Sequence, residues 1–246
     1  MNGERMVRRR RDIASQIASG FACAALAACA TQVPAASVAP GGPVELAAGV
    51  VADRAKGEVR VAAEVACDRG WLEQAVCKAG TREHESLLAV EALPSTIHAA
   101  LLLVGAQPGA PGAWTQSPDG AVARIPPSGD RVEVLVRGAF GERPLSDWIE
   151  DPERARAFPP DGWVFAGSRV RPNTRSMGPG EHYVADRTGS VVGIVTFGDE
   201  VVAFREVLPD RAEVESPAWQ ARTDRMPAPG TRVELVLRPR GSGARR

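Results

Sequence analysis

Short valine-rich segments, separated by glycine, proline and aspartate, recur along this chain and constrain its fold more than any other feature. Segments of this length, rich in β-branched residues and bounded by turn formers, are typical of β-strands. The chain shows no regular strand–helix–strand alternation, so most of the strands are expected to be antiparallel. The expected strands cover residues 44–51, 59–66, 72–77, 87–92, 131–137, 163–168, 182–185, 191–197, 201–207 and 232–237.

One segment has the periodicity of a helix. Apolar residues between 97 and 104 follow the spacing i, i+3, i+4, i+7, which places them on one helical face. Pro94 and Ser95 offer a cap, and Gly105 ends the run. A second, shorter helix is expected over residues 152–157. The predicted fold class is α+β, mostly antiparallel β with one well-defined helix and a second short one.

Two glycine-containing turns, residues 68–70 and 198–200, predict hairpins between the strands that flank them. In the first hairpin, Cys67 lies opposite Trp71, and Cys77 is six residues further along the returning strand. At roughly 3.3 Å per residue the two cysteines are on the order of 20 Å apart, whereas a disulfide needs Cα atoms within roughly 7 Å. The hairpin therefore predicts two free thiols.

The first 28 residues have the order of an export signal. A basic segment at residues 5–11 precedes a weakly apolar stretch at 13–28, which ends in small residues. This order is that of a signal peptide rather than a membrane span. The sequence Leu-Ala-Ala-Cys29 resembles the lipobox of bacterial lipoproteins, in which the cysteine is acylated on its thiol and becomes the new N-terminus.

The lipobox resemblance implies an exported protein that is held at a membrane through its lipid. Ala30, rather than an acidic residue, follows the cysteine, which implies the outer membrane, facing the periplasm, if the source is Gram-negative. Residues 29–43 are rich in Ala, Pro, Ser and Gly and are expected to form a flexible tether. Two alternatives stay open: plain secretion with an incidental cysteine, and twin-arginine export through Arg10-Arg11.

The charge of the mature chain argues against a nucleic-acid partner. Removal of residues 1–28 takes five arginines and two acidic residues from a chain with 30 of each sign, which leaves 25 basic against 28 acidic residues. Nucleic-acid binding needs a basic patch or stripe. Residues 44–239 are enough for a single α+β domain, and residues 240–246 are expected to form a disordered tail.

The densest polar cluster is Thr-Arg-Glu-His-Glu-Ser at residues 81–86. His84 between Glu83 and Glu85 has the composition of a metal site, to which Cys77 could add a thiolate. Cys77 and His84 could also act as nucleophile and base. The spacing lacks the C-x-x-C or H-E-x-x-H pattern of strong zinc sites, so a solvated loop and a buried cysteine stay open.

The remaining histidines extend the candidate metal set to His84, Glu85, His98 and His182. A site built from them requires the fold to bring distant segments together. His98 is also compatible with the polar edge of its helix. The sequence identifies no particular cofactor.

Five tryptophans contrast with a single tyrosine. Trp148 and Trp163 lie within apolar runs and are expected to pack in the core. Trp114 and Trp219 lie in loops flanked by proline and are the candidate ligand-binding residues. Aromatic side chains at a surface can bind sugars or peptides.

Several segments together resemble the YdjY-like domain, which many bacteria export. They are Trp-Leu-Glu-Gln-Ala-Val-Cys at 71–77, Gly-Thr-Arg-Glu-His-Glu-Ser-Leu at 80–87, Pro94 with His-Ala-Ala-Leu-Leu at 98–102, Asp-Trp-Ile at 147–149, Gly-Trp-Val-Phe-Ala-Gly-Ser at 162–168 and Gly-Asp at 198–199. The resemblance covers about residues 44–237. It implies no particular reaction, substrate or catalytic residue.

These observations predict a lipid-anchored cell-envelope protein that binds a protein, peptide or small ligand. The alternative is a metal- or thiol-dependent envelope enzyme that uses Cys77 and His84. Convergence of these two residues with a second histidine or carboxylate would favour the enzyme. A loop at residues 83–85 that projects into solvent would favour the binding module.

Overall fold

The computed structural model of the protein describes residues 42–240. The expected signal peptide, the expected lipidation site Cys29, nearly all of the tether and the tail after residue 240 lie outside the described residues. What the sequence indicates about them stays a prediction.

The described residues form short strands joined by loops and a few helices. In chain order the strands are β1 (Val44–Ala47), β2 (Val50–Asp53), β3 (Glu58–Val65), β4 (Gln74–Lys78), β5 (Ser86–Val90), β6 (Ala113–Gln116), β7 (Val122–Ile125), β8 (Arg131–Gly138), β9 (Gly141–Pro144), β10 (Ile149–Asp151), β11 (Arg156–Ala157), β12 (Trp163–Phe165), β13 (Val170–Pro172), β14 (Glu181–Tyr183), β15 (Ser190–Gly193), β16 (Val202–Phe204), β17 (Gln220–Ala221) and β18 (Arg232–Arg240). The α-helices are α1 (Pro94–Leu103) and α2 (Val184–Thr188), and 3₁₀ helices cover Glu83–Glu85, Leu145–Trp148, Arg175–Met177 and Thr223–Arg225. None of the helices in this part of the chain is long and apolar enough to cross a membrane.

Eight strands close into a barrel in the order β3-β18-β8-β12-β16-β15-β4-β5, and β5 returns to β3. One edge of β3 pairs with β18, with Val61 opposite Leu235. The other edge pairs with β2 along its first half and with β5 at its end, where Val65 lies opposite Leu88. This divided edge closes the ring, and closure removes the unpaired strand edges of an open sheet.

The expected α+β class is wrong. The protein is mostly β, with 41% strand and 14% helical residues, and α1 is the one helix of seven or more residues in the described part. The helix expected over residues 152–157 is replaced by a turn and β11. The Asp151 carboxylate accepts hydrogen bonds from the Arg154 backbone N–H (3.1 Å) and guanidinium (3.0 Å). Such a bond from aspartate to the following backbone favours a turn over a helix.

The helix α1 forms where the sequence predicts it. Ile97 and Leu101 are fully buried, and the helix packs on β2 and β3. Its cap differs from the expectation, because the backbone N–H of Ser95 donates to the Asp186 carboxylate (2.7 Å). A carboxylate at this position satisfies an N–H that the helix itself leaves unpaired. The short helix α2, which carries Asp186, therefore caps α1.

Both expected hairpins are wrong. The strands β3 and β4 are not neighbours, because β5 lies between them, and β15 and β16 are neighbours that run parallel. Gly70 and Gly198 do adopt positive φ angles of 89° and 82°. The local turns are therefore as expected, but a turn does not determine which strands pair. Cys67 and Cys77 are both free thiols, as expected, although the hairpin argument for them does not hold.

An aromatic cluster fills one part of the core. Phe158, Trp163, Phe204 and Trp219 pack with ring centroids 4.5 to 6.3 Å apart. Trp148 and Trp163 are buried, as predicted. Trp219 is only 2% exposed, so it does not lie at the surface as expected. Its proline-flanked loop folds back over the barrel, because the indole packs against Phe158 and Phe204.

Candidate functional site

Cys77, the candidate nucleophile or thiolate ligand, lies in β4 and is fully buried. Burial raises the pKa of its thiol, and the neighbouring polar groups of Ser86 and Arg82 offset this only in part. A thiol with a raised pKa is protonated at neutral pH, and the thiolate is the form that attacks or binds metals. Its surroundings are therefore those of a structural cysteine.

Glu83, His84 and Glu85 form the 3₁₀ helix between β4 and β5. The His84 side chain is 78% exposed, and its Nε2 lies 3.5 Å from the Glu85 carboxylate. The Glu83 carboxylate accepts a hydrogen bond from the backbone N–H of Gly80, and this bond is the main reason that the pKa of Glu83 is lowered. The Glu83 side chain therefore bonds to the backbone of its own loop, while the His84 side chain projects into solvent.

The other two histidines have separate partners. His98 Nδ1 lies 2.8 Å from the Tyr183 hydroxyl, which donates to the Gly167 carbonyl (2.9 Å), and burial lowers the pKa of His98. His182 Nδ1 lies 3.2 Å from the side-chain oxygen of Asn173. Within residues 42–240, no group of three or more His, Cys, Asp and Glu side chains is placed to hold a metal ion. The candidate metal ligands are therefore not brought together.

The register of the parallel strands β4 and β5 instead brings two carboxylates together. Gln74 pairs with Ser86, so the residues that precede them, Glu73 and Glu85, lie side by side. The Glu73 backbone N–H donates to the Glu85 carbonyl (3.1 Å), and the Glu73 carbonyl accepts from the N–H groups of residues 194–195 (3.0 and 2.9 Å). Three segments of the barrel are thus joined at Glu73.

The Glu73–Glu85 pair is coupled electrostatically. Burial raises the pKa of Glu73 to about 7, together with a hydrogen bond to the Glu85 side chain and repulsion from Glu85 and Asp210, while Arg82 lowers it. Arg82 Nη1 lies 3.7 Å from the Glu73 carboxylate and 3.9 Å from that of Glu85, and its guanidinium stacks 3.9 Å from the centre of the Phe197 ring. One arginine thus faces two carboxylates, and the first of them, Glu73, gains or loses its proton near neutral pH.

These two carboxylates open into a cavity of about 220 Å³, here called the Trp71 cavity. Trp71 lines it and is 41% exposed. Its apolar walls are formed by Leu72, Val195, Leu208, Pro209, Pro217 and Ala218. A cleft or cavity with apolar walls and a few placed polar groups is the usual form of a ligand site.

A second cavity, of about 210 Å³, adjoins the first and is here called the Trp114 cavity. Both cavities are lined by Asp210. Trp114 is half-buried, and its Nε1 donates to the Asp210 carboxylate (3.2 Å). Arg169 and Thr196 also line this cavity. The two cavities together form the acidic groove, with Trp71 and Trp219 in the lining of the first part and Trp114 in that of the second.

Sequence reasoning missed Trp71, Glu73 and Asp210 as site residues. One signal for Glu73 was present: it is the one carboxylate within the apolar strand sequence Trp-Leu-Glu-Gln-Ala-Val-Cys. A carboxylate in such a segment needs a partner or a function, because its burial is costly. Its pairing with Glu85 could not be inferred, because that requires the parallel register of β4 and β5.

A wider concavity of about 790 Å³ lies elsewhere, over β3, β5 and the beginning of β18. It is open to solvent and is lined largely by alanines, with Glu64, Glu83 and Glu91 among its polar residues. Its described lining contains no aromatic side chain. Volume alone does not make a binding site, so the smaller acidic groove is the better candidate.

No curated protein and no solved structure matches this chain. A family model for the YdjY domain matches residues 50–238, a range that runs from β2 almost to the end of β18 and contains every residue of the acidic groove. The match confirms the resemblance seen in the separate sequence segments. The chain belongs to the YdjY domain family.

Proposed function

We propose that this protein is an exported, lipid-anchored binding module of the cell envelope, held at the outer membrane facing the periplasm, and that its ligand site is the acidic groove. The anchor rests on the basic and apolar leader followed by Leu-Ala-Ala-Cys29. The binding role rests on the groove. The acidic excess of the mature chain favours a protein, peptide or small ligand over nucleic acid.

One contrast carries the binding role. The exposed Trp71 and the Glu73–Glu85 pair line the same cavity, whereas Cys77 is buried and His84 projects into solvent. An enzyme that used Cys77 and His84 would need an accessible thiolate beside a base. The groove therefore supports recognition of a ligand more strongly than thiol or metal chemistry.

Replacement of the lipidation site, Cys29→Ser, is expected to move the protein from the membrane fraction to the soluble fraction. Serine cannot carry the thioether-linked chains, and each buried methylene contributes roughly 0.8 kcal/mol to membrane binding. Cell fractionation followed by immunoblotting measures the change. Cys23→Ser, in the same leader, is the matched control and should leave the protein in the membrane. A serine variant at position 29 that still resists extraction with high salt would contradict the anchor.

A photo-crosslinking amino acid at position 71 is expected to form covalent adducts with the ligand in intact cells. Trp71 lines the cavity and is exposed, so a crosslinker there reaches whatever occupies the groove. Val170, exposed in β13, is the control position. Mass spectrometry of the purified adducts detects small ligands as well as proteins. Equal labelling at the two positions would count against the groove as the ligand site.

A further inference from the structure

We infer that the Trp71 cavity binds a basic side chain, the ammonium of a lysine or the guanidinium of an arginine, presented by a peptide or protein segment. The inference rests on the proposed binding role and adds the class of ligand. Three properties of the cavity carry it: the charge of its lining, its apolar walls and an unpaired buried donor.

The lining of the cavity carries a net negative charge. Its ionisable side chains are all carboxylates: Glu73, Glu85, Asp210 and Glu215. Two arginines outside the lining offset part of this charge. Arg82 faces the first two carboxylates, and Arg124 Nη2 lies 2.7 Å from the Glu215 carboxylate. The remaining negative charge is complemented by a cation in the cavity.

The walls suit the rest of a basic side chain. Long basic residues pack their methylene stems on apolar surface while the charged end meets polar groups. The walls around Val195 and Leu208 offer such a surface next to the carboxylates. The exposed indole of Trp71 adds a ring face to which an ammonium or a guanidinium is attracted. A small hydrated metal ion would leave these apolar walls unused.

One buried donor favours a peptide over a free amine. Trp219 also lines the cavity, and its buried Nε1 has no acceptor in the part of the chain that the structure describes. A buried N–H without a partner is costly, whereas the backbone of a peptide offers carbonyl oxygens as acceptors. Because this Nε1 is buried beneath the cavity surface, a peptide carbonyl pairs with it only if the wall shifts to expose it, and a free ammonium offers no such acceptor.

Binding of a cation should depend on pH. Glu73 faces Glu85, Asp210 and Arg82, and Glu85 also faces His84. Because the pKa of Glu73 is raised to about 7, this carboxyl gains a proton as the pH falls through neutrality. The cavity then loses negative charge, so the affinity for a cation is expected to fall about tenfold between about pH 8 and pH 5.

The test uses the purified full chain in detergent at low ionic strength, titrated by calorimetry with four capped tripeptides. They carry lysine, arginine, Nε-acetyl-lysine or glutamate between two alanines. The lysine and arginine peptides are expected to bind at least about tenfold more tightly than the other two, because only they carry the complementary charge. The comparison between lysine and arginine shows which cation the cavity prefers.

Two variants with opposite expected effects sharpen the test. Glu85→Gln is expected to weaken binding of the basic peptides about tenfold, because it removes a facing charge. Arg82→Gln is expected to strengthen binding severalfold, because it removes the cation that competes for both carboxylates. This comparison is made well above pH 7, because Arg82 also lowers the pKa of Glu73. Glu181→Gln, exposed in β14, is the control and should change nothing.

The peptide series on the unaltered chain decides the inference even if a variant fails to fold. Equal binding of the lysine and acetyl-lysine peptides would overturn the basic-side-chain inference and leave the groove as a binding site. Absence of binding for all four peptides would also overturn it. Crosslinking at position 71 would then test separately whether the groove binds any ligand.

Discussion

Replacing Glu200 with glutamine is expected to reduce the change in stability between pH 5 and pH 8 by about 2–3 kcal/mol. The unaltered protein should lose stability as the pH rises through this range. The glutamine variant should lose much less, because its amide does not ionise.

The surroundings of Glu200 explain this expectation. The side chain lies in the loop between β15 and β16, and the residue is 1% exposed. Its Oε1 accepts hydrogen bonds from the backbone N–H groups of Phe197 (2.6 Å) and Gly198 (3.0 Å), while its buried Oε2 has no partner within residues 42–240. The neighbouring Asp199 is also buried and adds repulsion. A charged carboxylate is therefore poorly accommodated here.

The direction of the pH effect follows from the raised pKa. Burial raises the pKa of Glu200 from 4.5 to about 7, with repulsion from Asp199 added and hydrogen bonds from backbone N–H groups opposing it. Between these two values the folded state holds a proton that the unfolded state has released. The stabilising contribution of Glu200 is therefore intact below the lower value, falls as the pH rises between them and is lost above the higher one.

Denaturant unfolding of both proteins at a series of pH values measures the effect. Glu206→Gln makes the same chemical change at an exposed position and is the control. Part of the pH dependence should persist in the Glu200 variant, because the pKa of Glu73 is also raised to about 7. An unchanged difference between pH 5 and pH 8 in the Glu200 variant would show that this carboxyl does not titrate as described.

The predictions with the strongest local pattern succeeded, and the two predicted hairpins, which depended on pairing, failed. The helix α1 and the strands β3, β8 and β18 appear at the expected positions, because each carries its own apolar pattern. The expected strand over residues 44–51 is divided into β1 and β2 at a turn where Gly49 has a φ of 76°. Closure of the barrel depends on pairs such as Val59 with Leu237. Nothing in the local pattern of either segment indicates that contact.

The same limit explains the candidate site. The polar cluster at residues 81–86 was visible in the sequence, but its functional member could not be identified by composition. The metal and catalytic hypotheses both included His84, whose side chain projects into solvent. Glu85 faces the cavity because the parallel register places it beside Glu73. An antiparallel interpretation of the same strands would have separated the two carboxylates.

The arginines of this chain show how composition can conceal an interaction. Nearly every positive charge is arginine, and a compositional bias gives no single arginine a role. On the outer wall of the barrel, however, the arginines of β3, β8 and β18 surround one buried carboxylate, that of Glu58. Glu58 and Arg238 are 180 residues apart in the sequence. Their side chains meet because β3 and β18 pair.

Glu58 is held at the centre of this network. The residue is 2% exposed, and its Oε2 accepts hydrogen bonds from Arg238 Nε (3.0 Å) and Nη2 (2.9 Å). Arg137 Nη2 lies 3.8 Å from Oε2, and Arg60 Nε lies 3.9 Å from Oε1. Glu142 also contacts Arg137 and Arg238. One carboxylate thus faces guanidinium groups from three adjacent strands.

Glu58→Gln is expected to lower the free energy of unfolding by about 2–3 kcal/mol, because it removes the central charge and leaves three partly buried guanidinium groups facing a neutral amide. The cost should not be larger, because Glu142 still pairs with Arg238. Denaturant unfolding near neutral pH measures it. Glu133→Gln, which removes the partner of the exposed Arg240, is the matched control and should cost about 0–1 kcal/mol. Equal costs for the two variants would mean that the Glu58 network stabilises the barrel no more than an ordinary surface ion pair does.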